Sequence, residues 1–144
     1  MERSEALARL AELQRKMYAY QAASSALYLD GTTVAPRDTA EGRGVALGIL
    51  AGERHKLFSA PEVGELLDGL WAQKDELDHA VRRQVEELRR SYDQLRRIPA
   101  DEYMEYAMLT NEASDVWHRA KEQSDFELFR PVLEKLVAFN IKFA

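Results

Sequence analysis

Apolar residues recur at steps of three and four along nearly the whole of this sequence. That spacing is the period of one face of an α-helix, and it leaves little room for sheet. Leu7, Leu10, Leu13, Met17, Tyr20, Leu27 and Tyr28, with the small Ser24 between them, step this way with no interrupting Gly or Pro. They predict one helix from Ser4 to about Leu29, stopped by Asp30-Gly31 and followed by the loop Thr32-Thr33-Val34-Ala35-Pro36. A second helix is expected from about Asp38 or Thr39 to Phe58, carrying Gly44, Gly48 and Gly52 at strict four-residue spacing. Each Gly costs a helix about 1 kcal/mol relative to Ala. A stripe of them is therefore read as the seat of a closely approaching helix.

Ser59-Ala60-Pro61-Glu62 has the form of a capping box, with Pro61 suited to a first turn, and opens a short third helix to about Trp71. A fourth is expected from about Asp75 to Arg97, where Val81, Val85, Leu88, Tyr92 and Leu95 form a short heptad seam. Its arginine pairs (Arg82-Arg83, Arg89-Arg90, Arg96-Arg97) form a basic stripe. Asp78–Arg82, Glu86–Arg90 and Asp93–Arg97 have the acid-before-base spacing that neutralises such a face. Pro99 separates the fifth helix, Ala100 to Glu122, whose Tyr103, Ala107, Thr110, Ala113, Trp117 and Ala120 share a face. Ser124-Asp125-Phe126-Glu127 is a second capping box, Asp125–Phe129 a helical turn, and a last helix restarts near Pro131. The predicted fold is all-α, a bundle of five or six antiparallel amphipathic helices.

Composition bounds what such a bundle can do. The 144 residues suggest a single domain, 1–144, and the 46% apolar content suffices for a core. With no Cys there is no disulfide, thiolate metal site or Cys nucleophile. A net charge of −5 argues against nucleic acid as a partner. No apolar run reaches the ~18 residues of a membrane span, and no signal-peptide pattern opens the chain, so the expectation is a cytoplasmic protein. Metal could be held only by His, Asp and Glu. His118 and Glu122 share a helix face, but no third ligand accompanies them, and an ion pair or hydrogen bond is the simpler reading. His55, four positions before Ser59, and His79, four after Asp75, are read as structural. No catalytic constellation is visible.

Three segments carry a resemblance. Tyr28-Leu29-Asp30-Gly31-Thr32-Thr33-Val34-Ala35-Pro36, followed by Ala40-Glu41-Gly42-Arg43, resembles the N-terminal signature Y-W-D-Q-x-T-x-M-P…A-x-x-R of the carboxypeptidase Taq family. It departs at Leu29, Gly31 and Ala35. Ser59-Ala60-Pro61-Glu62-Val63-Gly64-Glu65-Leu66-Leu67 resembles that family's S-P-E-x-x-x-L-L. The run from Trp117 to Leu133, with Asp125-Phe126, Phe129 and Pro131, resembles W-x-x-A-[RK]-x-x-[SN]-D-F-x-x-F-x-P-x-L. Oligoendopeptidase F-like proteases share part of this last motif.

The resemblance implies the N-terminal part of a larger all-α metallopeptidase that removes C-terminal residues from peptides and is commonly a homodimer. It binds zinc or cobalt through HExxH and a later Glu, all beyond position 144. This chain then supplies no metal ligand or catalytic residue and flanks one wall of a substrate groove. The final helix, which ends at Ala144 without a capping residue, fits a domain that continues into a downstream catalytic part. Asp30, Pro36, Arg43, Pro61, Glu62, Trp117, Asp125, Phe126, Phe129 and Pro131 are expected to be determinants of the fold. Arg43 is expected to pair with Asp30, Asp30 to hold the amides of its own loop, and Trp117 and Phe129 to fill core. The competing readings are an oligoendopeptidase F-like helical domain and a free-standing helical interaction module.

Overall fold

The computed structural model describes residues 2–144. Six helices account for most of the chain: α1 (Arg3–Thr33), α2 (Ala40–Ser59), α3 (Pro61–Ala72), α4 (His79–Leu95), α5 (Ala100–Glu122) and α6 (Arg130–Phe143). Among the described residues there is no strand. Long-range contacts tie α1 to α2, α3 to α4 and α5 to α6, while α2 also packs along α5. Gln21 of α1 meets Arg54 of α2, Asp68 of α3 meets Arg89 of α4, and Glu102 of α5 meets Lys142 of α6.

The core is concentrated at one end. Ala6, Leu10 and Leu13 of α1, Phe58 of α2, Val63, Leu66, Leu67 and Leu70 of α3, and Val85 of α4 form one buried cluster. The expected seam of α4 is seated on it, with Val81, Leu88, Tyr92 and Leu95 around the fully buried Val85. The other end is thinner. There the buried apolar residues of α5 and α6 are Ala113, Ala120 and Val132.

The glycine stripe does what its spacing predicts. Gly44, Gly48 and Gly52 are buried and face Asn111, Met108 and Met104 of α5. A Cβ at Gly48 would lie 2.6 Å from Met108 Cγ, so the two backbones can approach this closely only with Gly there.

Several boundaries differ from the sequence expectation. Asp30-Gly31 does not stop α1, which runs to Thr33. The Thr32 hydroxyl donates to the Tyr28 carbonyl (3.1 Å) and that of Thr33 to the Leu29 carbonyl (2.6 Å). Both hydroxyls are thus satisfied within the last turn, and the chain leaves the helix only before Pro36, which disfavours helical backbone in the residue ahead of it. Neither capping box forms as read. Ser59 is the last residue of α2, and its hydroxyl faces His55 Nδ1 at 3.4 Å. The one-residue connection at Ala60 leaves no cap position for it, while Pro61 opens α3 and Glu62 lies in its first turn. Ser124 has φ 52°, closing α5 in a left-handed turn in which the Asp125 amide donates to Ala120 O at 2.9 Å. Asp125 is the cap instead, accepting from the Glu127 amide at 3.0 Å.

The fourth helix starts at His79, later than Asp75, because Lys74–Glu76 forms a separate 3-10 turn and Asp78 caps through Ala80 N at 2.9 Å. With Asp78 so used, the arginine face is neutralised by other pairs. Arg83 meets Glu86 (2.5 Å), Arg96 meets Asp93 (3.2 Å), and Arg89 reaches across to Asp68 (2.7 Å).

Candidate functional site

The first and last signature segments of the sequence converge at the thin end of the molecule. Tyr28 and Thr32 of α1 line a shallow depression with Trp117 and His118 of α5 and Phe129 beyond it. Behind it, Arg43 lies against Gly31. A Cβ at residue 31 would come within 2.2 Å of Arg43 Nε, so Gly31 makes the seat for this guanidinium. Arg43 donates to Thr39 Oγ1 at 3.2 Å, and the expected pair with Asp30 is not formed. Asp30 stands on the exposed side of α1. Its backbone carbonyl, rather than its side chain, holds the loop, accepting from the amides of Val34 (3.1 Å) and Ala35 (2.9 Å). Pro36 accepts the Thr39 hydroxyl at 2.6 Å.

Arg37 Nη2 lies 2.7 Å from Glu122 Oε1, tying the end of α5 to the loop after α1. The hydrogen bond from this carboxylate, and then its charge, hold the Arg37 guanidinium protonated beyond its ordinary range. Glu122 is thus partnered by Arg37, not by His118 as the spacing suggested. His118 packs edge-on to Trp117, 4.9 Å between ring centroids.

Trp117 does not fill core. It is 42% exposed, with Lys121 over its ring. The face shared with Ala113 and Ala120 buries only its small members, and the larger ones line open depressions. Phe129 is half-buried, and Phe126 is exposed with Arg130 over its ring. Pro131 lies in the first turn of α6. The second segment, with Pro61 and Glu62, sits at the opposite end, where Val63, Leu66 and Leu67 belong to the core.

A second feature was not visible in the sequence. Between α1, α2 and α5 runs an open trough of about 440 Å³. Leu47 and Ala51 form its floor, Ser24, Ser25 and Tyr28 one wall, and Tyr103, Tyr106 and Ala107 the other. The two tyrosines of the α5 wall are held by ring contacts. Tyr103 lies 4.9 Å from the buried ring of His55, and Tyr106 stacks on Phe139 at 4.6 Å. His55 is itself pinned, its Nε2 donating to the Leu95 carbonyl at 3.0 Å, which confirms its structural reading. Among the described residues that line the trough, Arg54 is the one charged side chain. It donates to Gln21 Oε1 at 2.8 Å, while its Nε is buried without a hydrogen-bond partner. The sequence signal was faint: Arg54 lies within the polar run Glu53-Arg54-His55-Lys56 and breaks no pattern.

The residues present do not fit a divalent metal. Among the described residues no three His, Asp or Glu side chains come together, and His55 is committed to Leu95 and Ser59.

The described residues thus form an all-helical arrangement with open troughs on its surface. Residues 9–144 match the family profile of the carboxypeptidase Taq (M32) metallopeptidases, and the chain belongs to that family. It is 33% identical over 132 residues to carboxypeptidase 1 of Bacillus subtilis, covering 92% of this chain and 26% of that protein. It is 32% identical to thermostable carboxypeptidase 1 of Thermus thermophilus, covering 91% of this chain and 26% of the relative. The fold superposes on the crystal structure of BsuCP with a TM-score of 0.84 at 34% identity, over 91% of this chain and 26% of that one. The chain therefore spans about a quarter of the length of the relatives it matches.

Proposed function

We propose that this chain is the N-terminal helical domain, residues 1–144, of a metal-dependent carboxypeptidase that removes C-terminal residues from peptides. The observation that carries the reading is the family match over residues 9–144 by a chain that covers only 26% of its relatives. Those relatives are carboxypeptidases by name, which favours this reading over an oligoendopeptidase domain or a free-standing interaction module.

The domain serves as a scaffold and a groove wall. The residues that would hold zinc or cobalt and polarise the scissile carbonyl belong to the remaining three quarters of the longer protein. What this chain contributes is a frame, in which four of the signature residues act as fold determinants. Asp125 caps a turn, Pro61 and Pro131 open helices, and Arg43 fills the space left by Gly31. The reading extends to a homodimer in the cytoplasm. It is supported by apolar side chains left exposed on α6 and by the absence, among the described residues, of a helix long and apolar enough to cross a membrane.

The test is turnover of a blocked dipeptide by the purified chain supplemented with zinc or cobalt. No hydrolysis is expected until the chain is continued into a metal-binding catalytic part. A rate proportional to the concentration of the 144-residue chain alone would overturn the reading.

A further inference from the structure

With no Cys, the sulfur of this chain is confined to four methionines, of which Met17, Met104 and Met108 lie among the described residues. They are unequally placed. Met17 packs against the core cluster and Met104 is half-buried, whereas Met108 is 36% exposed. Met108 belongs to two surroundings. It lines the open depression between α5 and α6, beside Leu109, Ala138 and Phe139. It also rests on α2, where its Cγ and Sδ lie 2.6 and 3.1 Å from the point a Cβ of Gly48 would occupy. The most exposed of these three side chains is thus the one that makes the tightest of the three glycine contacts between α2 and α5.

A thioether suits that seat, being polarisable, apolar and in need of no hydrogen bond. A sulfoxide does not, because the added oxygen makes the side chain bulkier and polar. The polar side chain of the same stripe, Asn111, already donates to the Ala40 carbonyl at 3.2 Å. The oxidised side chain must withdraw from Gly48 to hydrate its oxygen, which leaves the glycine seat without the group that fills it. We propose that Met108 is a site of reversible oxidation by hydrogen peroxide, and that its sulfoxide releases α5 from the glycine seat of α2. The step transfers one oxygen atom. An electron pair of the sulfur forms the S–O bond as the O–O bond breaks. The proton of the transferred oxygen passes to the other oxygen, which leaves as water. The sulfur is oxidised and the peroxide reduced, and sulfoxide reductases reverse the change. Leu47 and Ala51 of α2 share the trough with Tyr103, Tyr106 and Ala107 of α5, so the same release widens it.

The test treats the 144-residue chain with hydrogen peroxide and locates added oxygen by mass spectrometry of its methionine peptides. Met108 should gain oxygen ahead of Met17 and Met104. Amide exchange is then read on the oxidised chain. Amides of α5 should exchange roughly tenfold faster, the scale of one lost packing contact, while those of Leu67 and Leu70 keep their rates. The Gly48 amide resonance should shift in step with oxidation and return after treatment with sulfoxide reductases. Met108→Leu nearly conserves the side-chain volume without the sulfur and should abolish the response, whereas Met104→Leu should leave it. Earlier oxidation of Met17 or Met104 overturns Met108 as the site. Met108 sulfoxide with unchanged exchange in α5 overturns the release, and a response that survives Met108→Leu overturns both. The measurements on the unmodified chain decide the matter even if Met108→Leu fails to fold.

Discussion

At the scale of single residues, the glycines of α2 have opposite consequences although they share one helix. Gly42 faces open space, whereas a Cβ at Gly48 would lie 2.6 Å from Met108 Cγ and 3.3 Å from Met104 Cγ. Gly42→Ala should therefore stabilise by up to about 1 kcal/mol, the difference in helix propensity. Gly48→Ala gains the same propensity but overpacks the α2–α5 contact, at a cost of about 1–3 kcal/mol. Urea unfolding midpoints should rank Gly42→Ala above the parent and Gly48→Ala below it. Equal stabilisation by both would mean that the methionines yield freely. His55 is the one buried polar residue among those described. His55→Leu keeps the volume but removes one of the two donors to the Leu95 carbonyl, which keeps the Ile98 amide at 3.0 Å. The expected loss is about 0.5–1.5 kcal/mol, read from the same midpoints.

At the scale of elements, the corrected caps make a sharp comparison. Asp78 accepts the Ala80 amide at 2.9 Å, while Ser59 caps nothing and faces His55. Asp78→Ala should cost about 1 kcal/mol and Ser59→Ala distinctly less, measured by thermal unfolding. A larger loss from Ser59→Ala would restore the capping box that the sequence suggested. The existence and type of all six helices were legible because their apolar steps are long and regular, and α5 begins and ends where Pro99 and Ser124 indicated. What was not legible depends on tertiary neighbours. Whether Ser59 or Ala60 leaves the helix is decided by the one-residue hinge into α3. Whether Arg90 chooses Glu86 or Glu87 is decided by rotamers within about one turn, and here Glu87 is nearer, at 3.7 Å. The stripe Met104, Met108, Asn111 hid behind the aromatic face of the same helix. The trough was invisible for the same reason: its three walls come from segments far apart in sequence, and Arg54 acquires meaning only when Gln21 and Tyr103 arrive beside it.

At the scale of the molecule, the apolar side of α6 is partly covered. Phe139 stacks on Tyr106 and Phe143 packs on Phe139 at 4.9 Å, so this side belongs to the α5 contact. The bare apolar residues are Val137, 48% exposed, and Ile141, 73% exposed. If the chain dimerises through α6, the double variant Val137→Lys, Ile141→Lys should shift it to monomer in analytical ultracentrifugation with its helix content intact. Phe139→Ser should instead lower stability. A dimer unchanged by the lysines would place the interface elsewhere.

The uneven core has one more consequence, for the heat of unfolding. α2 reaches from the thick cluster around Phe58 to the glycine contact with α5, where few large side chains are buried. A chain built this way can release α5 and α6 before the cluster of α1, α3 and α4 gives way. Scanning calorimetry should then record more total enthalpy than the sharpness of the transition implies for a single all-or-none step. Amide protons of α6 should exchange ahead of those around Leu67 and Leu70. Filling the space beneath α5 should bring the two enthalpies together, so that the domain melts as one body.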